Sequence, residues 1–203
     1  MTYFFILAAV LIRVLSHFNY IPHLPNFAPI AAMALFGGVY LGKKYALLIP
    51  LAAMLISDIF IGFYNPWIMF SVYGSFFLIG LIGLWLKNHK NVPNILGASL
   101  FGSIIFFLVT NFAVWAVPIS MYPHNLQGLL QSYIMGLPFF RNTLMGDLFY
   151  VGTMFGLYEI VLKITSTWEV NPVKSRPAGA KQFHRVKKEQ NGFKFKRVER
   201  KRF

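Results

Sequence analysis

The segment PFFRNTLMGDLFY, residues 138–150, places charged and amide side chains inside a strongly apolar part of the chain. Arg141, Asn142 and Asp147 fall within seven positions. A charged group in bilayer hydrocarbon costs about 2.5–3.5 kcal/mol, so such groups face a bundle interior or a wet cavity and pair there. The residue types therefore indicate ion pairing, or binding of a polar solute, within a helical bundle.

Three further polar side chains are expected at a similar depth to Asp147. Arg13, Asp58 and Asn111 each lie in a different apolar segment, one or two helical turns from its predicted outer end. Polarity confined to the outer half indicates a pocket that opens to the outside and is closed below by apolar packing. Arg13 could pair with Asp58 or with Asp147, and a purely structural ion-pair network is the alternative to a binding site.

Aromatic side chains are predicted at the same outer level as the polar layer. Trp and Tyr at this position usually form a belt at the membrane interface, and lining the pocket is the second interpretation. The candidate substrate-binding residues, polar and aromatic, are Arg13, Asp58, Tyr64, Trp67, Asn111, Trp115, Arg141, Asn142 and Asp147.

Metal, cofactor and enzyme signatures are missing from the sequence. His17, His23 and His124 are all predicted on the outer side, but without the spacing of metal ligands. The absence of cysteine excludes disulfides and thiolate metal sites. No HExxH, GxSxG or P-loop motif occurs. We therefore expect no metal, no cofactor and no enzymatic activity, and active transport would need a partner or an ion gradient for energy.

The segments that carry the polar residues are typical of membrane helices. Of 203 residues, 57% are hydrophobic and 12% are charged, and mean hydropathy is +0.57. Apolar runs of about 18 residues or more recur, which is the length of a spanning helix. We predict an all-α bundle of six transmembrane helices, near residues 3–18, 28–42, 45–63, 67–86, 95–117 and 142–164. Because no basic segment precedes the first run and Arg13 interrupts it, we expect a retained helix rather than a signal peptide.

The distribution of basic residues predicts the orientation. Lys43, Lys44, Lys87, Lys90 and a basic tail all follow even-numbered spans. The positive-inside rule then places both termini in the cytoplasm, in a multi-pass protein of the cytoplasmic membrane. Residues 166–203 hold 12 of the 19 Lys and Arg against three acidic residues. This composition predicts a disordered basic cytoplasmic tail after a transmembrane domain at 1–165.

One further helix is predicted outside the six spans. The segment HNLQGLLQSYIMGL, residues 124–137, carries apolar residues at helical spacing with Gln127 and Gln131 on the other face. This pattern is typical of an amphipathic helix that lies across the outer mouth of the bundle. An interfacial anchor and a lid are equally consistent with it.

Two rows of small residues indicate close helix packing. Ala34, Gly38 and Gly42 are spaced by four on the second span, and Gly152 and Gly156 form a GxxxG pair on the sixth. Such rows let helices approach closely, within one chain or with a partner. Packing within the chain is the preferred interpretation, and docking of a partner protein is the second.

Four stretches of the sequence resemble a known family. They are PNFAPIAAMALFGGVYLG (25–42), PLAAMLISDIFIGFY (50–64), GSIIFFLVTNFAVW (102–115) and YPHNLQGLLQSYIMGLPFFRNTLMGDLFY (122–150). Over roughly residues 22–165 the chain resembles an uncharacterised bacterial family of six-span proteins assigned to transport. That family is in turn similar to the substrate-binding S components of energy-coupling-factor (ECF) transporters, in span count, in size and in the Ala/Gly-rich second span that leads to Asp58.

The resemblance implies a vitamin-type ligand near the outer face and docking to a membrane-embedded coupling subunit with two ATPases. S components often carry an AxxxA row on the first span, but here Ala8 and Ala9 are adjacent and no such row exists. The N-terminal histidine of metal-type S components is absent as well, since the chain begins Met1-Thr2-Tyr3. A metal substrate is therefore not expected.

Two functional hypotheses follow from the sequence. The first is an S-component-like transport protein that binds a small organic nutrient for uptake with an energising partner. The alternative is a structural scaffold in the lipid bilayer, whose basic tail tethers anionic lipid, a ribosome or RNA. A third hypothesis, an intramembrane enzyme, lacks a recognisable catalytic group.

Overall fold

The computed structural model describes residues 2–20, 26–43 and 45–170, with side chains described up to residue 166. The regular structure in these ranges is entirely helical, which confirms the predicted all-α class. The helices are α1 (Thr2–His17), α2 (Ile30–Tyr40), α3 (Leu48–Ile61), α4 (Pro66–Leu86), α5 (Val92–Ala116) and α6 (Leu126–Val170).

Three of the six helices are long and apolar enough to cross a membrane: Pro66–Leu86, Val92–Ala116 and the part of α6 at Leu126–Ser166. Helices α1, α2 and α3 are shorter, with 16, 11 and 14 residues. At 1.5 Å per residue, α2 is only about 16 Å long, roughly half of a bilayer's hydrocarbon core. The second predicted span is shortened because Pro29 is its N-cap and the chain becomes extended at Leu41.

Helices α4 and α5 both begin with an asparagine cap and a proline in the first turn. The side-chain oxygen of Asn65 accepts a hydrogen bond from the Trp67 backbone N–H at 3.0 Å. Asn91 caps α5 in the same way, 2.8 Å from the backbone N–H of Asn94. A proline in the first turn of each helix is tolerated because its missing N–H has no partner inside the helix.

Helix α2 lies at the centre of the bundle. Its residues from Ala31 to Val39 are all buried, and it packs against α1, α3, α4 and α5. A Cβ atom on Gly38 would lie 2.5 Å from the carbonyl carbon of Gly83, so α2 and α4 touch backbone to backbone. The first small-residue row is therefore used within the chain at Ala34 and Gly38, whereas Gly42 faces open space.

Helix α6 is continuous for 45 residues and includes Pro138. The predicted boundary between an amphipathic outer helix at 124–137 and a sixth span at 142–164 is therefore wrong. The first part of α6 packs along α5, since the Tyr133 hydroxyl donates to the Leu108 carbonyl at 3.0 Å. Pro138 removes one helical N–H bond, and the contacts with α5 hold the helix together across that position.

Residues Met1–Thr165 form one compact unit. Gly152 and Gly156 are exposed on α6, and no described residue comes within 4 Å of the place where a Cβ would stand. Packing of this second pair within the chain, the preferred interpretation of the sequence, therefore stays a prediction. His23, Lys44 and residues 171–203 lie outside the described residues, so the disordered basic tail stays a prediction.

Candidate functional site

Arg13 and Asp58 form a buried ion pair between α1 and α3. Arg13 Nη2 lies 2.5 Å from Asp58 Oδ1, and their side chains are 14% and 0% exposed. Arg13 also donates to Ser57 Oγ and, at 3.4 Å, to the Met54 carbonyl. Tyr73 of α4 donates to Asp58 Oδ2 at 2.6 Å. Both carboxylate oxygens are therefore bonded, and this ion-pair cluster ties three helices together.

Asp147 of α6 is the second buried carboxylate, and its surroundings are different. It is 2% exposed, and Ser103 of α5 donates to its Oδ2 at 2.6 Å. The Ser103 hydroxyl also reaches the Ser99 carbonyl at 3.0 Å, so its one hydrogen is shared between two acceptors. Asp147 has no ion-pair partner among the residues that the structure describes.

Two cavities share wall residues, and Asp147 lines the smaller of them. The smaller, about 90 Å³, is lined by Asp147 together with Asn26, Phe106 and Thr143. The larger, about 200 Å³, shares the last three of these residues and extends to Asn111. Because they share wall residues, we treat them as two lobes of one space, called the Asp147 cavity. Asn111 and Asp147 therefore belong to one site, and Arg13 and Asp58 form another.

Asn111 is held in the wall of the larger lobe by its own helix and by α6. Its Nδ2 donates to the Phe107 carbonyl at 2.8 Å. Its side chain lies against Gly136, where a Cβ would come within 2.8 Å of Asn111 Cγ. Glycine at 136 thus leaves room for the amide beside the cavity.

The remaining candidate residues lie away from the Asp147 cavity. Trp115 Nε1 donates to the Pro123 carbonyl at 3.0 Å and so holds the connector between α5 and α6. Trp67 is 66% exposed, at an apolar groove between α4 and α5 of about 600 Å³.

Tyr64 lies in the α3–α4 connector, where burial, and secondarily the charge of Asp58, raise its pKa to about 12. Arg141 is exposed and makes no hydrogen bond or ion pair with described residues, and Asn142 is half-buried outside the cavity wall.

Residues missed by the sequence analysis complete both sites. Thr143 precedes Asp147 by four positions, and Ser103 precedes Asn111 by eight, so each shares a helix face with a residue already singled out. That spacing could have identified Thr143 and Ser103 from the sequence. Asn26, which lies outside any helix, and Tyr73 of α4 carry no comparable signal, because nothing local indicates what they face.

A third polar cluster joins α6 to the other end of α2. Glu159 Oε1 accepts hydrogen bonds from the Tyr40 hydroxyl and from Lys90 Nζ, each at 2.6 Å. Glu159 and Lys90 are both partly exposed, so this contact belongs to the periphery of the bundle. Among the described residues, no group of three His, Cys, Asp or Glu side chains is placed to hold a metal ion.

In its described part, the chain is all-helical, with three helices long and apolar enough to cross a membrane and with polar clusters buried between helices. The chain belongs to a family of unknown function (DUF6580), whose model matches residues 1–170. Comparison with curated proteins and comparison with solved structures each found no match.

Proposed function

We propose that this chain is a multi-pass protein of the cytoplasmic membrane, with six crossing segments and both termini inside, that binds a small organic nutrient in the Asp147 cavity. The bound solute is taken up with the help of an energising partner, as in an S component. The proposal is supported by a cavity with a few polar groups inside an otherwise apolar bundle, which is the usual form of a small-molecule site. Intramembrane ionisable groups also mark solute pathways.

The observation that carries the proposal is Asp147 itself. Burial of a carboxylate is unfavourable unless the group is paired and fully hydrogen-bonded. Asp58 meets that requirement with Arg13 and Tyr73, whereas Asp147 receives one hydroxyl donor from the described residues and borders a cavity. A group that served the fold alone would be better placed in surroundings like those of Asp58.

The size of the cavity favours a small solute. An apolar cavity of about 150 Å³ holds a benzene molecule, so the lobe of about 200 Å³ has room for one ring. The lobe of about 90 Å³ beside Asp147 has room for a polar substituent of that ring. Both lobes lie below the roughly 300–1,000 Å³ typical of drug-sized ligands, so a single-ring nutrient suits the site better than a larger vitamin.

An energising partner is part of the proposal because the sequence has no P-loop for ATP. The exposed pair Gly152 and Gly156 on α6 offers a surface on which a helix of a coupling subunit with ATPases could pack closely. The alternative function is a structural scaffold. It is favoured by the ion-pair cluster, in which all the charged groups are paired.

The test is extraction of bound solute from the purified, full-length protein, followed by mass spectrometry. We expect a small organic molecule in stoichiometric amount from the wild type, and much less from Asp147→Asn. Glu159→Gln is the matched control, since it also converts a carboxylate to an amide but lies outside the cavity. If the wild type carries no solute and takes none up in cells, the scaffold is the better description.

A further inference from the structure

The chemistry of the cavity wall points to a charge class of solute. We propose that the Asp147 cavity binds a small organic cation, with a protonated nitrogen against Asp147 and an apolar ring in the larger lobe. This inference rests on the proposed function, because it concerns the same site and names what the site would select.

The charge of the wall is the first argument. Within the described part of the chain, Asp147 is the one charged residue that lines either lobe. Arg13 is bound to Asp58, and Arg141 is exposed outside the wall. Among the described wall residues, an anionic solute would therefore meet a like charge with no basic group to offset it, whereas a cation would supply a counter-ion.

The hydrogen-bond inventory of the wall is the second argument. The hydroxyls of Thr110 and Thr143 donate to the carbonyls four residues earlier, at 2.7 and 3.0 Å. Ser103 donates to Oδ2 of Asp147, while Oδ1 receives no hydrogen bond from a described residue. A hydroxyl whose hydrogen is already donated can only accept.

The wall therefore presents mainly acceptors to the cavity. One Nδ2 hydrogen of Asn111 is donated to the Phe107 carbonyl, and the amide of Asn26 is the principal exception. A solute that suits such a wall must bring its own N–H or O–H donors. An ammonium group brings up to three, whereas a carboxylate brings none.

Aromatic rings supply the third argument. Phe106 lines both lobes, and Phe107 and Phe140 line the larger one with ring centroids 4.7 Å apart. The faces of aromatic rings attract cations, most strongly where water is excluded, and Phe76 and Phe106 line the lobe beside Asp147. The same rings would cover the apolar part of the solute, so a ring-bearing amine matches both lobes.

The experiment compares three probes of nearly equal size on the full-length protein in detergent at pH 7. They are the phenethylammonium ion, neutral 2-phenylethanol and anionic phenylacetate, with binding measured by calorimetry. We expect phenethylammonium to bind at least tenfold more tightly than 2-phenylethanol, and phenylacetate not to bind measurably. Equal binding of the cation and the neutral probe, or preference for the anion, would overturn the inference.

Two variants extend the comparison. Asp147→Asn should abolish the preference for the cation over 2-phenylethanol, and Glu159→Gln should retain it. If Asp147→Asn does not fold, the wild-type probe series still decides. Thr143→Val then offers a milder change, which removes one acceptor and should reduce cation binding several-fold while binding of 2-phenylethanol changes little.

The outcomes separate this inference from the proposed function. A neutral or anionic molecule extracted from the protein, or selective binding of an uncharged probe, would overturn the cationic class and leave solute binding in place. A cationic molecule extracted from the wild type would support both. If none of the three probes binds and no solute is extracted, both fail together.

Discussion

Arg13 pairs with Asp58 at 2.5 Å, and Asp147 has no counter-ion among the residues that the structure describes. The apolar segments of the described chain hold two buried carboxylates, and the buried guanidinium is committed to one of them. The paired carboxylate joins helices, and the unpaired one borders a cavity. Replacing aspartate by asparagine should therefore change the stability of the protein by different amounts at the two positions.

Asp58→Asn should destabilise the protein much more than Asp147→Asn. The first change leaves Arg13 buried without a counter-ion, which costs about 3–5 kcal/mol in comparable pairs. The second leaves no unpaired charge behind. We expect a clear drop in Tm for Asp58→Asn and a small change for Asp147→Asn, measured by thermal unfolding of the solute-free protein in detergent. Adding Arg13→Met to Asp58→Asn should restore part of the loss, and the absence of any recovery would contradict this account.

Gly38→Ala should destabilise the bundle by about 1–3 kcal/mol, the usual range for overpacking. The added methyl group would meet the backbone of Gly83, which cannot rotate away as a side chain can. Gly152→Ala is the matched control, because Gly152 is also helical but has open space around it. There alanine should be neutral or stabilising, since glycine inside a helix is worse than alanine by roughly 0.5–1 kcal/mol. Equal effects at the two positions, in chemical denaturation, would rule out the backbone contact.

Gly136→Ala should displace Asn111 and alter the larger lobe of the cavity. The methyl group would overlap the Asn111 side chain, whereas the same change at Gly97 meets nothing within 4 Å. We expect Gly136→Ala to lower stability and Gly97→Ala not to do so. Asn111→Ala in the Gly136→Ala background should relieve the overlap, so a double-mutant cycle should give a coupling energy of about 0.5–3 kcal/mol. A coupling energy of zero would show that the two residues do not touch.

The sequence is enough to infer that Asp58 and Asp147 are buried, but it does not specify how the polar residues are grouped, and Arg141 is exposed. Intramembrane charges usually pair in the interior of a bundle, so the sequence predicts that Arg13 pairs with Asp58 or with Asp147. The choice between Asp58 and Asp147 depends on which helices are neighbours, and that is a property of the packed bundle. Ser103 was overlooked because serine is common in apolar helices, where it usually bonds to its own backbone.

Helix lengths were less predictable than helix positions. The sequence places α4 and α5 well, because in each an asparagine cap and a proline in the first turn mark the start of the apolar helix. It overestimates α2, because Leu41 and Gly42 are compatible with a span but are not helical. The amphipathic pattern at 124–137 predicted a separate outer helix, but α6 continues through Pro138 as one helix. A proline usually breaks a helix, and the local sequence does not show that this one is tolerated.

Tyr40→Phe should destabilise the protein by about 1 kcal/mol, the usual value of one hydrogen bond. The change removes the hydroxyl that donates to Glu159 and keeps the ring contacts with Phe36 and Tyr158. Lys90→Met removes the other donor to Glu159, but both partners of that ion pair are partly exposed, so its contribution should be about 0–1 kcal/mol. Thermal unfolding of both variants measures the stability that each change removes. A larger loss of stability for Lys90→Met than for Tyr40→Phe would contradict the view that the Tyr40 hydrogen bond contributes more than the ion pair.

The last prediction concerns the orientation of the proposed transmembrane segments. Single cysteines at Asn19, Asn65 and Asn125 should react with a membrane-impermeant maleimide in whole cells, whereas a cysteine at Asn88 should react only after the membrane is opened. The first three positions lie in predicted outer connectors, of which the first and third have no Lys or Arg and the fifth has only Arg141, at its membrane end. Asn88 lies between Lys87 and Lys90, which the positive-inside rule places in the cytoplasm. The chain has no cysteine of its own, so the wild type provides a clean background. Asn65 and Asn125 each accept a backbone N–H at the start of the helix that follows. A separate Phe63→Cys variant, in the same connector as Asn65 and without a cap, therefore serves as a second outer position. Labelling of the Asn88 position in intact cells would reverse the proposed orientation, and equal labelling of all positions before and after opening would show that the segment between them does not cross.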